Sequence, residues 1–384
     1  MPKSGIQFYH HVQPVVLAVK EGPNARIKKD LVEYIKEACP SLAGPKAAYH
    51  PTPYLFNGHL QTFYAAFFKG SRRLDQVQYT REYLPTVDGG QILLDWTPQL
   101  DTDELQNKDS KRPILVVLHG LTGGSHESYV RNLLDIVTRP PYCYKAVVVN
   151  FRGCAESILT SPQLYCGAWT EDVRFAVKTI AERFPDSPLM GVGFSLGSNV
   201  LVKYLGEEEE NTPLIAGISI SNPWDFVSSS LWIDRTWFRR NIYSRTMAGN
   251  LVRTYNKHAK VLEQNKNLNF DYIQGSKTIR EFDDRCTRIA FGYDTVNDYY
   301  RDASSSRFLK HVRVPLLCLN ACDDPISPAE CWPLDEAKVN PNVCFVATDH
   351  GGHIGWFQGF LSPRRWCMAP LAEFVHAMFD TKTN

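Results

Sequence analysis

The sequence predicts an α/β fold: a mostly parallel central sheet with helices on both faces and a helical cap inserted into it. Three observations predict this. Continuous apolar runs that end in a glycine or a turn, such as "RPILVVLHG" and "SPLMGVGFS", recur along the chain. Such runs suit strands buried on both faces of a parallel sheet. Amphipathic helical stretches alternate with them, the pattern of repeated βα units. The alternation stops near residue 226 and resumes near 310, with aromatics and arginines in between.

The elements follow in order. Residues 1–75 lack a clear periodic core pattern and are read as an N-terminal extension that packs on a core spanning 76–384. "QVQYTREYL" and "QILLDW" alternate well enough for an antiparallel pair. "RPILVVLHG" is the first buried strand, and "YVRNLLDIVTR" is its helix. "YKAVVVNFRG" is a strand, and "WTEDVRFAVKTIAERF" is a helix with Thr170, Glu171 and Asp172 at its start. "SPLMGVGFS" leads into the helix "LGSNVLVKYLGE", and "LIAGISISNPWD" is a strand entering a proline turn. Residues 226–310 form the cap. "VRVPLLCLNACDDPI" and "NVCFVATDHGGH" resume the strand–loop rhythm, and "WCMAPLAEFVHAMFD" closes the chain as a helix.

The net charge of +1 favours neither a nucleic acid nor an acidic partner. Ten cysteines are scattered without a CxxC pair, several inside apolar runs. Reduced, buried thiols in an intracellular, cytoplasmic protein are therefore expected, rather than a disulfide framework. No segment reaches the roughly 18 consecutive apolar residues of a membrane-spanning helix. A peripheral contact with a membrane or lipid droplet stays open, as does the oligomeric state. The arginine- and tryptophan-rich stretch 231–245 is read first as helices packed over a site mouth. Contact with lipid headgroups is the alternative.

The central motif is "GVGFSLGSN". Gly193, Ser195 and Gly197 form G-x-S-x-G between an apolar strand and a helix. A serine on such a tight turn is lifted above the sheet edge, and flanking glycines remove side chains that would collide there. A serine hydroxyl needs a base. Downstream, "NACDDPISP" and "DHGGHIG" each follow a strand, so an acid and a histidine can meet the serine at the carboxyl edge of the sheet. Asp324, directly before "PIS", is the expected acid, with Asp323 as competitor. His353 is the expected base, since Gly351 and Gly352 give its loop reach; His350 is read as shaping the loop. A metal site at "DHGGH" is the weaker reading, because the double glycine argues against a helix and no further ligand cluster accompanies it. "VVLHGLTGG" is expected to supply the backbone N–H of Leu121 to an oxyanion hole, beside that of Leu196, with His119 structuring the loop. Its glycine pair lacks the Lys-Ser/Thr of a phosphate-binding loop.

Taken together these segments resemble the α/β-hydrolase branch of fungal medium-chain ethyl ester synthase/esterases, monoacylglycerol lipases and ABHD-type lipases. The likeness is carried by "NGHLQTFYAAF", "VVLHGLTGGSHESYVRNL", "VVNFRGCAES", "GVGFSLGSNVLVKYLGEE", "TIREFDDRCTRIAFGYDTVNDYYRDASS", "LLCLNACDDPISP" and "HGGHIGW". It extends from about residue 50 to the C-terminus. It implies an α/β-hydrolase fold and a triad of Ser195, Asp324 and His353, in agreement with the order of the motifs. The N-terminal membrane anchor of animal members has no counterpart in these residues. The expected activity is hydrolysis of short- to medium-chain acyl esters or monoacylglycerols through an acyl-serine, with no metal or organic cofactor. Acyl transfer from acyl-CoA to an alcohol on the same serine is the first alternative. A non-catalytic lipid-binding protein is the second.

Overall fold

The computed structural model describes residues 5–20, 25–45, 47–67, 76–108 and 110–382. The remaining positions, which include part of the N-terminal extension, lie outside the described residues.

Among these, the strands in chain order are β1 (Ile6–His10), the hairpin β2 (Val16–Lys20) and β3 (Arg26–Asp30), β4 (Thr80–Pro85), β5 (Gln91–Thr97), β6 (Ile114–Leu118), β7 (Lys145–Asn150), β8 (Leu189–Phe194), β9 (Leu214–Ile220), β10 (Leu316–Ala321), β11 (Val343–Thr348) and the short pair β12 (Phe357–Gln358) and β13 (Arg364–Arg365). Nine of them form one sheet in the order β1-β11-β10-β9-β8-β6-β7-β5-β4. The six from β11 to β7 are parallel. β4–β5 and β1 add antiparallel edges.

The apolar runs explain why the parallel strands sit in the middle. Successive side chains point to opposite faces. Ile114, Val116 and Leu118 of β6 thus join one core, and Leu115 and Val117 join the other. The first core is covered by the helices Glu171–Arg183 and Leu196–Glu208. The second is covered by Leu31–Ala38, Ser128–Val137 and Met368–Asp380. Thr170 does not cap its helix; its hydroxyl donates to Glu207 instead.

Two features matter for the site. β6 lies between β7 and β8, so the chain changes direction across the sheet there. Such a switch point opens a crevice at the carboxyl ends of the strands. Between β9 and β10 every regular element is helical, and two are π-helical turns, Arg240–Ser244 and Asp283–Thr287. The N-terminal segment is more closely integrated than its irregular pattern suggests. β1 pairs with β11 from Ile6 opposite Thr348 to His10 opposite Cys344. All ten cysteines are free thiols.

Candidate active site

Ser195 joins β8 to the helix Leu196–Glu208 at φ 52° and ψ −118°. A β-substituted residue rarely holds a positive φ, so the turn is strained. The flanking glycines make it sterically feasible. A Cβ on Gly193 would lie 2.5 Å from the Gly197 carbonyl oxygen, and one on Gly197 would lie 2.4 Å from that of Leu118. The strand, turn and helix can pack this closely only without side chains at those two positions.

The expected acid and base come from the next strand ends. Asp324 follows β10, and its Oδ1 accepts the backbone N–H groups of Ile326 (2.8 Å) and Ser327 (2.9 Å). The turn thus aims Oδ2 at His353 Nδ1, 2.8 Å away. His353 Nε2 lies 2.8 Å from Ser195 Oγ. Both ring nitrogens of His353 are therefore engaged, one by the acid and one by the serine. The Asp324 side chain is 0% exposed and that of His353 is 9% exposed. The Asp324 carboxylate therefore faces the ring without competing water.

Asp323 and His350 form a second, outer pair. Asp323 Oδ2 lies 3.0 Å from His350 Nδ1, and Oδ1 accepts the Gly352 N–H at 2.9 Å. The competitor acid therefore braces the loop that carries His353, and His350 takes no part in the inner array.

Leu121 and Leu196 both line the cavity next to Ser195. Leu196 opens its helix, so its N–H has no intrahelical acceptor and faces the region where an anion is favoured. The Leu121 turn is pinned on each side. The Gly120 N–H donates to Tyr129 Oη (2.9 Å), and the Thr122 N–H to Tyr165 Oη (2.8 Å). Burial holds both phenols well above their ordinary range, so they remain neutral. His119 is fully buried, its Nδ1 near the Gly120 carbonyl (2.7 Å) and its Nε2 accepting the Phe151 N–H (3.1 Å). Burial lowers its pKa to about 4, so it stays neutral and structural.

Several supporting residues escaped the sequence reading. Thr62, on the helix Gly58–Phe67, accepts the His353 N–H at 2.9 Å and donates to the Gly58 carbonyl at 2.6 Å. Ser221, at φ 49° after β9, accepts the Ile354 N–H at 3.1 Å. A Cβ on Gly58 would sit 1.8 Å from the Asp323 carbonyl oxygen, so this helix presses directly on the acid turn. The segment "NGHLQTF" carried part of the family likeness, but nothing in its spacing shows which loop it touches. Phe238 and Tyr243 pack against His59 and Phe63 of the same helix, tying cap to core.

Above Ser195 lies a cavity of about 140 Å³ whose wall is mainly apolar, with Leu164, Phe226, Ile233, Met247, Leu251 and Phe291 among its residues. Among the described residues no helix is long and apolar enough to cross a membrane.

Comparison with known proteins bears on the family and the fold. A family described as the alpha/beta hydrolase fold matches residues 113–360. A monoacylglycerol lipase of Saccharomyces cerevisiae is 36% identical over 86% of this chain and 80% of its own. Phospholipase ABHD3 of Homo sapiens is 36% identical over 90% of this chain and 82% of its own. Medium-chain fatty acid ethyl ester synthase/esterase 2 of S. cerevisiae is 30% identical over 90% of this chain and 89% of its own.

Proposed function

The chain belongs to the α/β hydrolase family, and from that premise we propose that it is a serine carboxylic-ester hydrolase acting on short- to medium-chain acyl esters or monoacylglycerols. The observation that carries the reading is the continuous relay Ser195–His353–Asp324, two contacts of 2.8 Å each, at the floor of an apolar cavity.

The chemistry follows from the geometry. Ser195 Oγ attacks the ester carbonyl carbon while His353 Nε2 takes its proton. Asp324 stays ionised, orients the ring and stabilises the imidazolium. The N–H groups of Leu121 and Leu196 bind the oxyanion, a contribution of about 3 kcal/mol for one such donor. Collapse breaks the ester C–O bond, and the alcohol leaves with the proton from His353. Water then loses a proton to His353 and attacks the acyl carbon; the acyl C–Oγ bond breaks, Ser195 Oγ regains the proton from His353, and the carboxylic acid is freed. The apolar cavity favours an acyl chain over a charged substrate, because an unpaired charge there would lose its hydration.

A second reading is acyl transfer, in which acyl-CoA loads Ser195 and an alcohol replaces water. It is favoured by the relative named as a synthase as well as an esterase. Both routes share the acyl-enzyme. One experiment addresses both. A fluorophosphonate probe should label the wild type and leave Ser195→Ala unlabelled. Unlabelled wild-type enzyme should release free acid from octanoyl esters, and prior labelling should abolish the release. Octanoyl-CoA with ethanol should give octanoic acid alone under hydrolysis and ethyl octanoate under transfer. Equal labelling of Ser195→Ala would end both readings.

A further inference from the structure

We propose that the outer face of the cap is a docking surface for an anionic lipid bilayer. A groove there is lined by Arg235, Arg240, Arg245 and Lys277, with Asp234 as the lone acid on its wall. Arg240 approaches Glu281 at 3.9 Å. The side chains of Arg235, Arg245 and Lys277 make no ion pair or hydrogen bond among the described residues. This concentration of unspent positive charge stands out in a chain whose net charge is only +1.

Large apolar side chains stand beside these cations. Trp237 also lines the groove and is 77% exposed. On the same stretch Leu231 is 65% exposed. Cations alone would suit any polyanion. Cations beside exposed tryptophan and leucine suit an interface, where the rings enter the headgroup–acyl boundary and the guanidinium groups meet lipid phosphates.

Position connects this surface to the cavity. Ile233 and Ile279 line the cavity above Ser195, and the neighbouring Arg235 and Thr278 line the groove; Asp234 touches both. The same two segments of the cap therefore face acyl substrate on one side and solvent on the other. A bilayer held there would keep lipid substrates at the cap that covers the serine.

The test uses the full chain and vesicle co-sedimentation, which reads binding without turnover and so does not depend on the ester-hydrolase reading. Vesicles of phosphatidylcholine are compared with vesicles that also hold about 30 mol% phosphatidylserine, the anionic lipid expected to attract a polybasic surface. Binding should favour the anionic vesicles and fall when salt is raised to about 0.5 M. Replacing Arg235, Arg240, Arg245 and Lys277 together by Gln should weaken it by several hundredfold, since each of the four cations near such a surface is worth roughly fivefold. Trp237→Ser alone should also weaken it, since binding scales with the apolar area buried at the interface. Fluorophosphonate labelling of Ser195 and turnover of a water-soluble short-chain ester should remain at wild-type level, which reports correct folding. Equal binding to both vesicle types, binding to neither, or undiminished binding by the quadruple variant would overturn the proposal.

Discussion

Two Asp–His pairs stand next to each other, and the residue scale separates them. Asp324 and His353 are buried and share one face with Ser195. Asp323 and His350 lie outside, with the His350 side chain 49% exposed. An exposed pair of this kind contributes about 0–1 kcal/mol, and His350 does not reach the serine. His353→Ala should therefore lower kcat on a soluble ester by about 10⁴-fold or more, as loss of a base that works as a unit with its nucleophile does. His350→Ala should stay within about tenfold of wild type, the scale of a loop brace rather than of a reacting group. Comparable losses in steady-state kinetics for the two variants would contradict this division of roles.

At the scale of the element, the helix Gly58–Phe67 is a buttress for two strand-end loops. It presses Gly58 against Asp323 and offers Thr62 Oγ1 to the His353 N–H. Thr62→Val keeps the shape but leaves that buried N–H without an acceptor, at a cost of about 1–3 kcal/mol. We expect a lower melting temperature and a reduced kcat in Thr62→Val, and recovery of both in Thr62→Ser. If valine matched wild type in calorimetry and kinetics, the helix would merely cover the loop. The strand-end turns behave in the same way. Asp324 is aimed by the amides of Ile326 and Ser327, and Leu121 lies between two amides held by tyrosines. Secondary structure here sets the positions of backbone groups, and those groups orient the reactive side chains.

The whole molecule combines a rigid sheet with a helical cap that contains a buried acid. Asp283 is buried on the π-helical turn Asp283–Thr287 at the cavity wall, and burial raises its pKa from 3.8 to about 6. Hydrogen bonds from Thr287 (2.7 Å) and Tyr300 (2.9 Å) offset part of that cost. The sign follows from linkage. Below 3.8 the carboxyl is protonated in both states and costs nothing. As pH rises through about 6 the unfolded chain is already ionised while the folded chain must bury the charge, so stability falls. Asp283→Asn does not titrate. The stability of wild type relative to this variant should therefore drop by roughly 1 kcal/mol or more between about pH 5 and pH 7.5, at 1.36 kcal/mol per pKa unit. Urea unfolding at the two pH values measures it. A difference independent of pH would mean that the carboxyl does not titrate in the cap.

The sequence by itself determined the sheet and the order of its reacting groups, because these are written locally. Runs such as "ILVVL" are apolar at every position, so they must be buried on both faces wherever they lie. Glycines two residues either side of Ser195 mark a turn that only close packing needs. The order serine, acid, histidine, with each following a strand, limits where they can meet. The sequence already favoured Asp324 over Asp323; only the tertiary structure sets Asp324 against His353, because the turn amides hold its Oδ1 and leave Oδ2 to the ring. It alone brought β1 to β11 and Thr62 to His353, contacts spanning 291 residues in the latter case. It also brought Tyr129 and Tyr165 to the Leu121 turn. Such contacts are absent from any local pattern because they depend on how separate elements pack. That packing turned a loop with two histidines into one buried ring set between Asp324 and Ser195 and one exposed brace.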